Sequence, residues 1–115
     1  NWRNTELGKK YDIYEQDGDI IGQQYPSDTG PIDILAISKN KKELLVVELK
    51  RGRLSDVVVG QIQRYMGYVK DELAEKDQEV RGLIIGYEDD LSIKRALSVA
   101  QNIEYKTYKV SFKLN

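Results

Sequence analysis

Asp33 and the triplet Glu48-Leu49-Lys50 are the residues whose types and spacing could do chemistry. They lie in two runs rich in Ile, Val and Leu, on either side of the polar stretch Lys39-Asn40-Lys41-Lys42. That pattern reads as a β-hairpin, with Asn40 the turn residue best able to take positive φ. If the turn is centred between Asn40 and Lys41, counting outward pairs Asp33 with Glu48. Side chains alternate faces with period 2, so Lys50 shares the face of Glu48 and of Asp33. Two carboxylates directly opposite each other repel, and a sequence that keeps both usually has a cation between them. The three groups are a candidate metal site. Taken alone, Glu-x-Lys is also the pattern of an ordinary ion pair on an exposed strand.

The elements around the hairpin must position these groups. Arg51-Gly52-Arg53-Leu54 is a short connection, Ser55 is placed to cap a helix, and Asp56 complements the helix dipole in the first turn. The helix is expected from about Asp56 to Glu75, with Val58, Ile62, Met66, Val69 and Leu73 as its apolar stripe. Gln61 and Tyr65, four residues apart, share one helical face, and a helix packed back on the hairpin could aim both at the carboxylates. Gly60 and Gly67 inside this helix predict close packing against the sheet.

Before the hairpin, residues 1–14 are weakly patterned and read as the end of a helix, as in a fragment cut from a longer protein. Asp17 to Tyr25 reads as a turn and short strand, and Pro26-Ser27-Asp28-Thr29-Gly30 as a loop. After the helix, Val80 to Tyr87 is nearly all apolar, as a buried central strand would be. Ser92 is placed to cap a second helix over Ile93 to Gln101, and Ile103 to Leu114 alternates as a final strand. The order is that of a single α/β domain, a mixed central sheet flanked by helices.

The 115 residues suit one core, and 40% apolar with 32% charged residues is an ordinary globular composition. No run is long and apolar enough to span a membrane, and Asn1-Trp2-Arg3-Asn4 does not begin a signal peptide. There is no cysteine and no histidine, which excludes disulfides, thiolate or imidazole metal ligands and His-dependent catalysis. The lack of cysteine agrees with a cytoplasmic location. Any metal must be held by oxygen, which favours Mg²⁺ or Mn²⁺. The net charge of −1 gives no global attraction to nucleic acid, yet Lys39, Lys41, Lys42, Lys50, Arg51, Arg53 and Arg64 gather in or near the hairpin as a local basic edge for phosphates. For Lys39, Lys41 and Lys42 alone, solvated charge at a hairpin tip explains as much.

Together, Pro31-Ile32-Asp33, Glu48-Leu49-Lys50 and Gln61-Ile62-Gln63-Arg64-Tyr65 resemble the PD-(D/E)XK nuclease superfamily, with one residue inserted between Pro and Asp. The stretches Gly30 to Leu35, Val46 to Arg53 and Val59 to Gly67 are similar to the catalytic domain of NucS-type endonucleases. The resemblance implies a restriction-endonuclease-like core and Mg²⁺-dependent hydrolysis of DNA, in repair of mismatched, branched or single-stranded DNA. It implies that Asp33, Glu48 and the Leu49 carbonyl hold the metal while Lys50 contacts the attacking water or the phosphate. Gln61 and Tyr65 would support that shell, and Arg51, Arg53 and Arg64 would contact nucleic acid. The family also implies a DNA-binding domain outside this stretch and an acidic residue on the first helix, a role Glu6 could fill. Cutting both strands would suit a homodimer, and Tyr105, Tyr108 and Phe112 could serve core or interface. The rival readings are a nuclease-like binding module without catalysis, and a structural domain whose hairpin acids pair with Lys50.

Overall fold

The computed structural model describes residues 2–107. A 3-10 turn over Trp2–Asn4 leads to a short helix α1 (Glu6–Lys10) and strand β1 (Tyr11–Ile13). Strands β2 (Glu15–Gln16) and β3 (Asp19–Ile20) form a small separate hairpin. Then follow β4 (Gln23–Ser27), β5 (Gly30–Ser38), β6 (Glu43–Leu49), helix α2 (Ser55–Glu72), β7 (Glu79–Gly86), helix α3 (Leu91–Leu97) and β8 (Ile103–Thr107).

β5 and β6 are the expected hairpin, antiparallel, with Ile34 opposite Val47 and Ile37 opposite Leu44. One step beyond that ladder, the same register sets Asp33 against Glu48. The turn differs in detail. Lys41 takes the positive φ of 65°, and Asn40 contributes its side chain instead. Its amide oxygen accepts from the Lys42 N–H at 3.0 Å and the Ser38 hydroxyl at 2.7 Å, replacing backbone acceptors as short polar side chains do in turns.

β6, β7 and β8 run parallel, while β1 and β4 pair antiparallel with successive halves of β5, giving a mixed six-stranded sheet. Pro26 and Ser27 belong to β4 rather than to a loop. Proline is tolerated there because β4 is an edge strand, where a missing N–H breaks no ladder. Period-2 alternation gives the sheet two different faces. Leu35, Leu44, Val46 and Ile84 face α2 and α3, meeting Val58, Ile62, Val69 and Ile93. Ala36, Leu45, Val47 and Leu83 face Trp2, Leu7 and Tyr11 on the opposite side. Each fully buried aliphatic side chain contributes about 1.5–3 kcal/mol.

The apolar stripe of α2 packs as expected, with Val58, Ile62 and Val69 fully buried and Met66 and Leu73 partly so. The helix ends at Glu72, short of Glu75, and α3 covers only Leu91–Leu97. The caps were misjudged for one shared reason. Leu54 occupies the N-cap of α2 without a side-chain bond, because the Ser55 hydroxyl donates to Asp90 instead, at 2.6 Å. Asp90, not Ser92, caps α3 by accepting from the Ile93 N–H at 3.0 Å.

The helix glycines are not packing contacts. A Cβ on Gly67 would meet nothing within 4 Å, and one on Gly60 only the end of Arg64 at 3.4 Å. The close approach is on the strand, where a Cβ on Gly82 would lie 2.6 Å from Met66 Sδ and 3.1 Å from Ile62 Cδ1. Gly67→Ala is therefore expected to stabilise the protein by about 0.5–1 kcal/mol in urea unfolding, through helix propensity alone. In the final strand the Tyr105 hydroxyl donates to the Glu88 carbonyl at 2.5 Å. Tyr108, Phe112 and Leu114 lie outside the described residues. No helix among the described residues is long and apolar enough to cross a membrane.

Candidate metal centre

Glu48 and Leu49 end strand β6, at the carboxyl ends of the parallel strands, the usual place for ligands in open α/β sheets. Glu48 faces α2, and among the described residues it is the one charged side chain that is buried, 1% exposed. Its Oε1 accepts from Arg53 Nη2 at 2.6 Å, whereas its buried Oε2 receives no N–H or hydroxyl donor. Asp33 is alongside. Its Oδ2 accepts from the Leu49 N–H at 2.9 Å, and Gln24 Nε2 lies 3.4 Å from its Oδ1.

The two acids are pushed apart in acidity. Burial raises the Glu48 carboxyl to about 7, helped by the hydrogen bond it shares with Asp33 and opposed by Arg53. Burial also raises Asp33, but the shared bond with Glu48, the Leu49 N–H, the charge of Arg51 and the Gln24 amide outweigh it, and Asp33 lies below the usual carboxylate range. Near neutrality the pair keeps part of one proton, as close carboxylates do when no cation neutralises them.

The donor set fits a hard cation. A buried carboxylate oxygen without a donor, a second carboxylate beside it and a nearby main-chain carbonyl are oxygen ligands of the kind Mg²⁺ or Mn²⁺ takes. Among the described residues no group of three or more His, Cys, Asp or Glu side chains could hold a metal ion. Two carboxylates with Leu49 O suit Mg²⁺, which keeps several of its waters.

Arg53, expected to meet phosphate, sits inside this centre: its Nη2 also donates to Leu49 O at 2.7 Å. One guanidinium nitrogen thus bridges Glu48 Oε1 and the Leu49 carbonyl, so that a positive charge lies beside the donor-free Oε2. Lys50 does not pair with the two acids. Its Nζ lies 3.7 Å from Asp90 Oδ2, with both side chains about one-fifth exposed, at 21% and 18%. The Ser55 hydroxyl, the Ile93 N–H and then the Lys50 charge hold the Asp90 carboxyl below its ordinary value.

The helix residues engage partners other than the two acids. The Gln61 amide oxygen accepts from Arg64 Nη2 at 2.8 Å, so these two side chains engage each other one turn apart. Tyr65 is 4% exposed and belongs to the main core cluster, with its hydroxyl beside Gly30. Arg51 is exposed near enough to Asp33 for its charge to be felt. The basic tip is largely neutralised, since Lys39 pairs with Asp12 at 2.5 Å and Lys42 with Asp77 at 2.6 Å. Glu6 is exposed on α1, whose Leu7 packs on the opposite face of the sheet, so it does not complete the pair. Sequence reasoning missed Gln24 and Asp90. The signal for Asp90 was its place between an apolar strand and a Leu-Ser-Ile helix start; Gln24, with its φ of 49°, gave none.

Residues 6–111 match the family described as Endonuclease NucS C-terminal domain. The chain is 32% identical over 95 residues to Endonuclease NucS of Methanocaldococcus jannaschii, an alignment covering 83% of this chain and 35% of that protein. Its fold is similar to the crystal structure of a repair endonuclease from Pyrococcus abyssi, with TM-score 0.66 and 21% identity, over 90% of this chain and 40% of that one. It is also similar to the structure of an EndoMS-dsDNA2 complex, with TM-score 0.70 and 20% identity, over 97% of this chain and 42% of that one. The chain thus spans well under half of each of these relatives. A match over nearly its whole length, through the strands and helices just described, makes this chain a member of the NucS endonuclease C-terminal domain family.

Proposed function

We propose that this domain carries the cleavage site of a Mg²⁺- or Mn²⁺-dependent endonuclease that hydrolyses phosphodiester bonds in DNA, on a restriction-endonuclease-like core of the PD-(D/E)XK superfamily. The observation that carries this reading is buried Glu48, its Oε2 without an N–H or hydroxyl donor, beside Asp33 at the end of β6. Membership of the NucS family and the fold shared with an EndoMS-dsDNA2 complex support DNA as the substrate. A repair role for mismatched, branched or single-stranded DNA, a cytoplasmic site, a separate DNA-binding domain and a two-fold dimer belong to the same reading.

Asp33, Glu48 and the Leu49 carbonyl would hold the cation. When bound, it supplies Lewis-acid stabilisation of the charge that builds on the phosphoryl oxygens. Lys50 directs its ammonium at the attacking water or the scissile phosphate, where a compact positive charge offsets negative charge as it develops. Arg51, and Arg53 once displaced, contact flanking phosphates and fix the strand without reading its bases. Gln61 and Arg64 form a polar pair on α2 that suits a phosphate contact, and Tyr65 buttresses the start of β5 next to Gly30.

With Mn²⁺, the complete protein is expected to cut at least one of a panel of single-stranded, flap and mismatched DNAs. Asp33→Ala should lower that rate at least about a hundredfold, with unchanged circular dichroism. An Asp33→Ala variant that cuts as fast as the parent sinks the proposal. A second reading, a nuclease-like module that binds DNA or protein without cutting, is favoured by the Arg53 charge already lying beside Oε2 of Glu48. DNA binding without cleavage by the parent would select it.

A further inference from the structure

We propose that Asp90 is a positioning residue for Lys50, aiming its ammonium across the carboxyl ends of β6 and β7 from a carboxylate locked to the starts of both helices. The effect on cleavage rests on the nuclease reading; the contact itself does not. Lys50 leaves the sheet where β6 ends, its N–H still donating to Ile85 O of β7 at 2.8 Å. Beyond that point its charge rides on a flexible four-carbon stem. Asp90 is the opposite, a short side chain held at both oxygens. Oδ1 accepts from the Ile93 N–H at 3.0 Å and Oδ2 from the Ser55 hydroxyl at 2.6 Å, while its main-chain carbonyl accepts from Lys94 at 3.0 Å.

The ammonium stands 3.7 Å from Oδ2, inside the range of strong attraction but beyond hydrogen-bond length. Asp90 therefore localises the charge without consuming its donors, which stay available for a phosphate oxygen or a water. The neighbouring cation on α3, Lys94, is engaged elsewhere, with Asp89 at 3.1 Å. Capping alone does not call for a charge here, because Asn caps a helix as well as Asp. Asp90→Asn therefore separates the two roles: its one amide oxygen keeps the cap, its N–H₂ can donate to the Ser55 hydroxyl oxygen so that this contact persists with the direction reversed, and the charge that attracts Lys50 is gone.

In the complete protein with Mn²⁺, Asp90→Asn is expected to lower kcat about tenfold at unchanged KM, and to have no further effect in a Lys50→Ala background. In the metal-free ¹⁵N-labelled protein, the Lys50 Nζ resonance should move toward that of freely rotating lysines. Parent-like cleavage by Asp90→Asn, or an equal loss in the Lys50→Ala background, overturns the proposal. If the parent itself does not cut, the nuclease reading fails, and the resonance decides: a Lys50 signal unmoved by Asp90→Asn overturns the positioning role, and a moved one supports it.

Discussion

Glu48→Gln is expected to abolish metal-dependent cleavage, lowering the rate at least about a thousandfold, and to stabilise the metal-free protein at pH 8 by about 1–3 kcal/mol. The loss follows because an amide is a poor ligand for a hard cation and leaves Asp33 as the one carboxylate of the centre. The gain follows from the sign of the titration. The Glu48 carboxyl is raised from 4.5 to about 7, first by burial and then by the hydrogen bond with Asp33. Between those values the unfolded chain has released its proton while the folded one keeps it, so stability falls as pH rises through the window. Above pH 7 the folded protein carries the whole cost of the ionised, buried group. Glutamine has no such cost. Its oxygen still accepts from Arg53, and its N–H₂ can donate to Asp33. Asp33 works the other way: its lowered carboxyl stabilises the fold above the unfolded value of 3.8 and loses that contribution on acidification. Urea unfolding at pH 8, 6 and 4 should show the advantage of Glu48→Gln shrinking toward zero. A variant less stable than the parent at pH 8 would mean that the Arg53 pair outweighs the burial.

Arg53→Ala is expected to bind Mn²⁺ about tenfold more tightly than the parent and to lose about 2 kcal/mol of metal-free stability at pH 8. Both effects come from one nitrogen, which reaches Glu48 Oε1 and Leu49 O at once. A dication on Glu48 Oε2 and Leu49 O would lie against a guanidinium on the same carboxylate and the same carbonyl, and the repulsion is expected to move the arginine aside. With its side chain 33% exposed, Arg53 has an open way out to solvent. Without the arginine, the cation meets no competitor, while the metal-free protein is left with a buried carboxylate whose other neighbour is an acid. Glu48 can answer by keeping its proton, which limits the stability loss. Titration calorimetry with Mn²⁺ and urea unfolding in chelator read the two effects separately. Equal affinities in parent and variant would show that the Arg53 charge does not oppose the cation.

The parts of this centre that follow from local counting were legible in the sequence. A four-residue turn between apolar runs and a period of two were enough to set Asp33 against Glu48, and the α2 stripe was visible through its spacing. What escaped was tertiary. Ser55 has the chemistry of an N-cap, and only its meeting with Asp90, 35 residues on, redirects the hydroxyl. Lys50 shares a face with Glu48 by alternation, but a long stem reaches past its own face, and the acid it meets is Asp90, the cap of α3. Gln61 and Tyr65 share a helical face as periodicity requires, yet that face divides at its edge, Tyr65 turning into the core and Gln61 toward Arg64. The glycines of α2 misled because helix-breaking cost alone does not say whether the missing Cβ faces a neighbour or water.

The hairpin register also determines where this domain can vary in length. The turn at Lys39–Lys42 lies about 20 Å along the strand from the paired acids. One residue added there, unless absorbed as a bulge, would carry Glu48 to the face of Leu45 and Val47, against the Trp2 and Leu7 layer. The core would resist that slip, but the acids could not meet if it occurred. A loop remote from the chemistry therefore works as a ruler for it. Insertions and deletions should be scarce in this turn, however freely its lysines are exchanged.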